Sequence, residues 1–280
     1  MNGLSQDPDT TAYPRPSAIT PAIWWVGRCG WGALPALTAE PDCNIYLLRG
    51  RDYDVLIDCG MGADLAALEG HIRAAGSAPA RVREIWLTHS HYDHFMRAAH
   101  WAARYPDTMC RISETAIEFL GQDNYRLVGH TVARKLVPVA IPPRLAPLRD
   151  GAELRCPPWT LRVEALPGHV PDQLGFRGGV DRREALFSGD AAIGDQNTIP
   201  GMIGWLDGLW LSDLRAYRAT LRHLTARPPA LLLPRHGRPH AGAAAARSLE
   251  HCRERLERFA AFPDLAAMLP IALPEGHAAS

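Results

Sequence analysis

Three imidazoles and a carboxylate fall within six residues, His89-Ser90-His91-Tyr92-Asp93-His94, directly after the apolar run Ile85-Trp86-Leu87. His89 and His91 are two apart, so in an extended or turning segment they point the same way. Asp93 and His94 follow at once and can face a second point in space. Nitrogen and oxygen donors at that spacing suit two metal ions a few ångströms apart that share one loop. A surface turn merely rich in histidine would look the same over these six residues, but the chain supplies further donors elsewhere. His169 stands in Leu166-Pro167-Gly168-His169, Asp190 in Leu186-Phe187-Ser188-Gly189-Asp190, and His236 in Leu233-Pro234-Arg235-His236-Gly237. Each closes an apolar, strand-like run and meets a turn containing glycine. One histidine on an apolar strand would more often be a core residue. Four elements of the same design instead predict donors converging on one edge of a sheet.

The elements that must position these donors read as mixed α and β. Ala22–Val26, Cys43–Arg49 and Asp54–Asp58 look like consecutive strands, and Asp64–Ala75 carries Leu65, Leu68 and Ile72 at helical spacing before Gly76. Glu84–Leu87 is the strand that delivers the histidine loop. A helix over Phe95–Arg104, a strand over Thr108–Ile112 and a helix capped by Ser113 and running through Leu120 follow. In the second half, strands at Thr160–Leu166, Gln173–Phe176 and Ala185–Phe187 precede a helix over Ser212–Ala226. A strand at Ala230–Leu233 and a terminal helix over about Ala241–Ala261 complete the pattern. Strands first and helices interleaved later predict two sheets packed face to face with helices outside. The expected organisation is a loose N-terminal tail over 1–17, one domain over 18–270 and a C-terminal tail over 271–280.

The combined pattern, His-x-His-x-Asp-His at 89–94, Gly-His at 168–169, Ser-Gly-Asp at 188–190 and Pro-x-His-Gly at 234–237, resembles the metallo-β-lactamase-fold hydrolase superfamily. The resemblance runs from about Ile23 to the last helix. It implies an α+β fold, an αββα sandwich of two mixed sheets. It implies that His89, His91 and His169 hold a first metal, that Asp93, His94 and His236 hold a second, and that Asp190 bridges them. Asp58, in Leu56-Ile57-Asp58-Cys59-Gly60, matches an acid that supports the histidine loop without ligating. Ligation by nitrogen and oxygen without cysteine favours zinc, with iron or manganese as alternatives.

Composition fits an enzyme acting on small molecules. Of 280 residues, 47% are hydrophobic, enough for a substantial core, and 30 basic residues balance 30 acidic ones. That balance gives no general attraction to nucleic acid or anionic membrane. The first sixteen residues are polar and rich in Pro, Asp and Thr, unlike a secretory signal, and no apolar run approaches the ~20 residues of a membrane span. The six cysteines are scattered, with no C-x-x-C pair. The expectation is reduced thiols and a cytoplasmic protein.

Three segments exceed the bare scaffold and should carry specificity. Gly27–Asp42 contains Trp31; the resemblance implies a flap over the site here, with core or interface packing of the tryptophan as the equal alternative. Gly121–Leu148 is rich in proline. Ala191–Leu211 follows Asp190 and contains Ile199, Met202, Ile203, Trp205 and Trp210. So much apolar surface after a metal donor fits a hydrophobic pocket wall or a subunit contact, the latter giving a homodimer. Trp31, Trp205 and Trp210 are therefore candidate pocket residues. Arg235, where related sequences carry a small residue, is a candidate cation for a substrate carboxylate, a plain salt bridge being the equal alternative.

Two divalent cations lower the pKa of a water shared between them until hydroxide exists at neutral pH. Asp93 is the candidate catalytic residue, orienting that nucleophile or carrying its proton. The expected activity is hydrolysis of a small-molecule ester or lactone with an apolar portion. A thioesterase or glyoxalase II-like hydrolase is the alternative, and an iron-dependent dioxygenase on the same fold stands further off.

Overall fold

The computed structural model describes residues 15–28, 36–38, 42–121, 131–132, 135–136, 140–195 and 199–261. One mixed sheet contains β1 (Ser17–Ala18), β2 (Ile23–Gly27), β3 (Ile45–Arg49), β4 (Asp54–Ile57), β5 (Val82–Trp86) and β6 (Met109–Ser113) in that spatial order. After the separate two-residue strands β7 (Thr131–Val132) and β8 (Lys135–Leu136), β9 (Leu145–Leu148) completes this sheet beside β6. The second sheet orders β10 (Glu153–Cys156), β11 (Trp159–Ala165), β12 (Leu174–Val180), β13 (Arg183–Gly189), β14 (Leu231–Pro234) and β15 (His240–Ala241). Pairing is parallel between β4, β5, β6 and β9 and between β13 and β14, and antiparallel elsewhere.

The two-residue period of the strands sorts their side chains into layers. Tyr46 and Leu48, Val55 and Ile57, Ala185 and Phe187, Leu231 and Leu233 face one central core between the sheets. The alternate residues face outwards. Ile45, Leu47 and Leu56 pack with α1 (Ala66–Ala74), α3 (Arg97–Arg104) and α4 (Glu114–Gly121), while Leu186 and Leu232 pack with α5 (Leu214–Ala226) and α6 (Ala243–Ala260). The one-turn helix α2 (Tyr92–Phe95) lies within the histidine loop. This is the αββα sandwich. No helix among the described residues is long and apolar enough to cross a membrane.

Local chemistry accounts for several element ends. The Asp213 carboxylate accepts the Ala216 N–H at 3.0 Å and starts α5, so the helix begins after Ser212. Ser113 Oγ does the same for α4 through the Ala116 N–H. The predicted helix at Phe95–Arg104 is two pieces, α2 and α3, meeting at Met96. The strand predicted at Gln173–Phe176 runs on to Val180, through Arg177, Gly178 and Gly179, which hide its apolar alternation.

Candidate metal centre

The C-terminal ends of β5, β11, β13 and β14 carry the candidate donors. His89, His91 and His169 offer ligand atoms within 4.8 Å of one another, and so do His89, His94 and Asp190, and Asp93, His94 and His236. His236 Nε2 lies 3.1 Å from Asp93 Oδ2, and His169 Nε2 lies 3.1 Å from His91 Nδ1. Asp190 lies between the groups. Its Oδ1 is 3.7 Å from His94 Nε2, and its Oδ2 is 3.7 Å from His169 Nε2 and 3.6 Å from His236 Nε2. Donors around a tetrahedral ion at bond lengths near 2.0–2.1 Å stand about 3.3 Å apart, so these separations fit metal ions held among them. His89 Nε2, His94 Nε2 and Asp190 Oδ1 are also buried without a hydrogen-bond partner, a costly state for polar atoms that a cation would relieve.

The ring nitrogens turned away from the cluster are held by the scaffold, which sets which nitrogen faces inward. His169 Nδ1 donates to the Trp205 carbonyl, and His94 Nδ1 donates to Asp58 Oδ2 at 2.8 Å. Asp58 is buried and adopts φ 55° at the end of β4. It accepts the Thr88 N–H at 2.6 Å and the Thr88 hydroxyl at 2.7 Å, next to His89. Burial pushes the Asp58 carboxyl up, but the Arg235 charge and the His94 hydrogen bond outweigh it and leave it below the usual range.

Electrostatics within the cluster favours metal ligation. Burial, reinforced by neighbouring histidines, holds His89 well below the ordinary imidazole range, and burial lowers His169. Both are therefore neutral lone-pair donors at pH 7. Burial raises Asp93, but the His94 charge and the His236 hydrogen bond drive it well below the usual carboxylate range. His94 moves the opposite way: burial lowers it, but Asp93 and Asp190 outweigh burial and raise it well above the ordinary imidazole range.

Other positions hold the centre without an obvious motif. The Gln173 side chain accepts the Asp190 N–H at 3.1 Å and donates to the Leu174 carbonyl. Asp172 accepts the Ser90 N–H at 2.8 Å, between the first two histidines, and burial raises its carboxyl to about 6. Tyr217 Oη, on α5, accepts the Gly204 N–H at 2.8 Å and donates to the Asp190 carbonyl at 2.9 Å. A Cβ at Gly204 would lie 2.9 Å from the His169 ring and 2.6 Å from the Asp190 carbonyl oxygen, so only glycine lets this loop lie on the site.

The candidate pocket residues separate. The Trp210 ring lies 4.5 Å from the His91 ring and 5.9 Å from the His169 ring. Trp205 gives its carbonyl to His169, while the residue is 66% exposed. Trp31, most of Gly27–Asp42 and half of Gly121–Leu148 lie outside the described residues. Of the two roles open to Arg235, substrate cation or plain salt bridge, the geometry is that of the salt bridge. Arg235 is fully buried, donates to Asp58 Oδ2 at 2.5 Å and stacks over the Tyr46 ring at 5.0 Å. Through Asp58, which also holds the His94 ring, it supports the ligand loop from a fully buried position.

A two-sheet sandwich with a histidine- and aspartate-rich cluster on one rim is a scaffold with a candidate metal site. The chain belongs to the Metallo-beta-lactamase superfamily, whose family model matches residues 39–236. It is 30% identical over 191 residues to the acyl-coenzyme A thioesterase MBLAC2 of Gallus gallus, a match covering 61% of this chain and 63% of that protein's length. Two solved structures share the fold. The subclass B3 metallo-beta-lactamase BJP-1 of Bradyrhizobium japonicum superposes with a TM-score of 0.67 at 19% identity, covering 90% of this chain and 96% of its own. A B3 metallo-beta-lactamase with an active-site glutamic acid gives 0.66 at 20% identity over 90% and 91%.

Proposed function

We propose that this protein is a metal-dependent hydrolase of small acyl thioesters, with oxygen esters and lactones as the secondary class, and that the acyl portion is apolar. The observation that carries the reading is the convergence of seven donors at ligand spacing with the Trp210 ring against His91. The 30% identity to an acyl-coenzyme A thioesterase supports a thioester over a lactone.

Two divalent cations at such a site supply a water ionised at neutral pH and an electrophile for the attacked carbonyl. His89, His91 and His169 would hold one ion, Asp93, His94 and His236 the other, and Asp190 would reach both. Asp93 is the most open member of the cluster, with its side chain 14% exposed. Its carboxylate would orient the attacking water and take up its proton. Trp210 would bound the acyl side, with Leu211 and Trp205 offering further exposed apolar surface in the same segment. Asp58 and Arg235 stay out of the reaction and keep the His94 ring oriented.

The test combines elemental analysis of purified protein with kcat/KM across acyl thioesters, lactones, aryl esters and β-lactams. Two metals per chain and the highest kcat/KM on thioesters are expected. One iron per chain with oxygen consumption would replace the reading with a dioxygenase. Two metals with lactones or β-lactams preferred by tenfold would keep the hydrolase and reject the thioester.

A further inference from the structure

One cavity lies away from the metal centre, on the outer face of the second sheet. It is a groove of about 840 Å³ along β11, β12 and the β12–β13 hairpin, meeting the end of α5 at His223 and Arg227. Arg162 and Glu164 on β11 alternate with core-facing Leu161 and Val163, and Arg177 on β12 follows core-facing Phe176. The groove side of these strands is thus a row of charges where an outer helix would require apolar residues.

Five arginines and three carboxylates line the groove, and the carboxylates are already engaged. Buried Arg177 holds Glu164 at 2.8 Å and Glu184 at 2.7 Å, and Asp150 accepts the Ala165 N–H at 2.9 Å. Arg227 reaches Glu184 only at 3.8 Å. Arg162, Arg182 and Arg183 make no ion pair among the described residues. Three uncommitted guanidinium groups therefore rim a concave surface of small-molecule size.

Two backbone features point the same way. Asp181 and Arg182 form the hairpin tip with φ 48° and 65°, a geometry in which Asn-Gly is the favoured pair and a Cβ is disfavoured. The Asp181 carboxylate pins the tip by accepting the Ala22 N–H at 2.8 Å. An arginine kept in a left-handed position at a groove edge is a side chain placed against local preference. Gly179 lies in the groove wall, and a Cβ there would meet nothing within 4 Å.

We infer that this groove binds a diphosphate group through Arg162, Arg182 and Arg183. Guanidinium forks match phosphate oxygens two at a time. No phenylalanine, tyrosine or tryptophan lines the groove, and His223 is its one ring, so the guanidinium groups and the phosphates they match carry the recognition.

Calorimetric titration of the full chain at low ionic strength with inorganic pyrophosphate, and separately with ADP, tests this. Arg162→Gln and Arg183→Gln should each weaken pyrophosphate about tenfold, the loss typical of one charged hydrogen-bonding partner. Arg182→Gly should weaken it similarly while its Tm holds or rises, because glycine accepts the positive φ. Gly179→Leu should block binding with Tm unchanged. Equal affinities for the two ligands would assign the site to the diphosphate alone, and tighter ADP would assign it to a nucleotide-borne diphosphate. Absence of binding overturns the inference. So does binding indifferent to all four substitutions, which would place the anion on the metal centre or elsewhere.

Discussion

Arg235→Met separates a residue that serves the scaffold from one that serves the substrate. Arg235 and Asp58 are both fully enclosed, with Nε and Oδ2 2.5 Å apart. Removing one member of a buried pair typically costs about 3–5 kcal/mol, because the other charge stays desolvated. Asp58 would keep two donors from Thr88 and one from His94, and methionine would keep the apolar contact with the Tyr46 ring. The low end, about 3 kcal/mol, is therefore expected. At about 2–4 °C per kcal/mol for a chain of this size, Tm should fall by roughly 6–12 °C. With the Arg235 cation gone, Asp58 should hold the His94 ring less firmly and metal affinity should fall about 10–100-fold. The acid limb should move too. The Asp58 carboxyl is depressed in the folded chain, so its stabilisation is present above its unfolded pKa and is lost as pH falls through the lower folded value. In Arg235→Met that folded value rises, and acid unfolding should begin at higher pH. Calorimetric melts at several pH values and a chelator competition measure all three effects. A Tm within a degree of wild type, unchanged metal affinity and a raised KM confined to carboxylate-bearing substrates would refute the scaffold role and restore Arg235 to the pocket.

Asp190→Ala should abolish most turnover and weaken both metals by more than the about 10–100-fold expected for Asp58→Asn; wild-type metal content in Asp190→Ala, read by elemental analysis, would sink the dinuclear assignment. In a homologous acyl series, kcat/KM should rise by about fourfold per added methylene until the wall ends, from about 0.8 kcal/mol each. Trp210→Ala should flatten that response more than Trp205→Ala, and the reverse order would move the wall to the exposed ring. Asp172 is raised to about 6 from an ordinary 3.8, so the folded chain holds a proton that the unfolded chain has released between those values. Stability of the metal-free protein should therefore fall by up to about 3 kcal/mol as pH rises across that window. Asp172→Asn should remove the slope, and equal slopes in both proteins by denaturant titration would reject the assignment.

What was legible in the chain divides by the range of the interaction that decides it. The donors at 89–94, 169, 190 and 236 announce themselves because metal-ligating residue types end apolar runs, and both facts are local. The order of elements reads only as mixed α and β, and the sandwich comes from the resemblance: β3, β4 and β14 are apolar on both faces, so which side chain joins which layer appears only in the fold. β9 and β10 escape because Pro147 interrupts one and the other is only four residues long, Glu153–Cys156.

The role of Arg235 was open because its partner is 177 residues away, and a cation next to a metal donor is equally consistent with a substrate anion or a buried acid. Gln173 and Tyr217 look like ordinary residues of a strand start and a helix. Their function exists only because the fold brings the Asp190 backbone within hydrogen-bond distance of both. Trp205 and Trp210 look alike as sequence, yet the loop turns one backbone carbonyl toward His169 and the other's ring toward His91. Donor chemistry can be read from residue type alone. Orientation of those donors depends on pairs far apart in the chain, so variants of Asp58, Arg235, Gln173 and Tyr217 should change how tightly the centre holds its metals, whereas the choice of acyl group should follow the loop that carries Trp210.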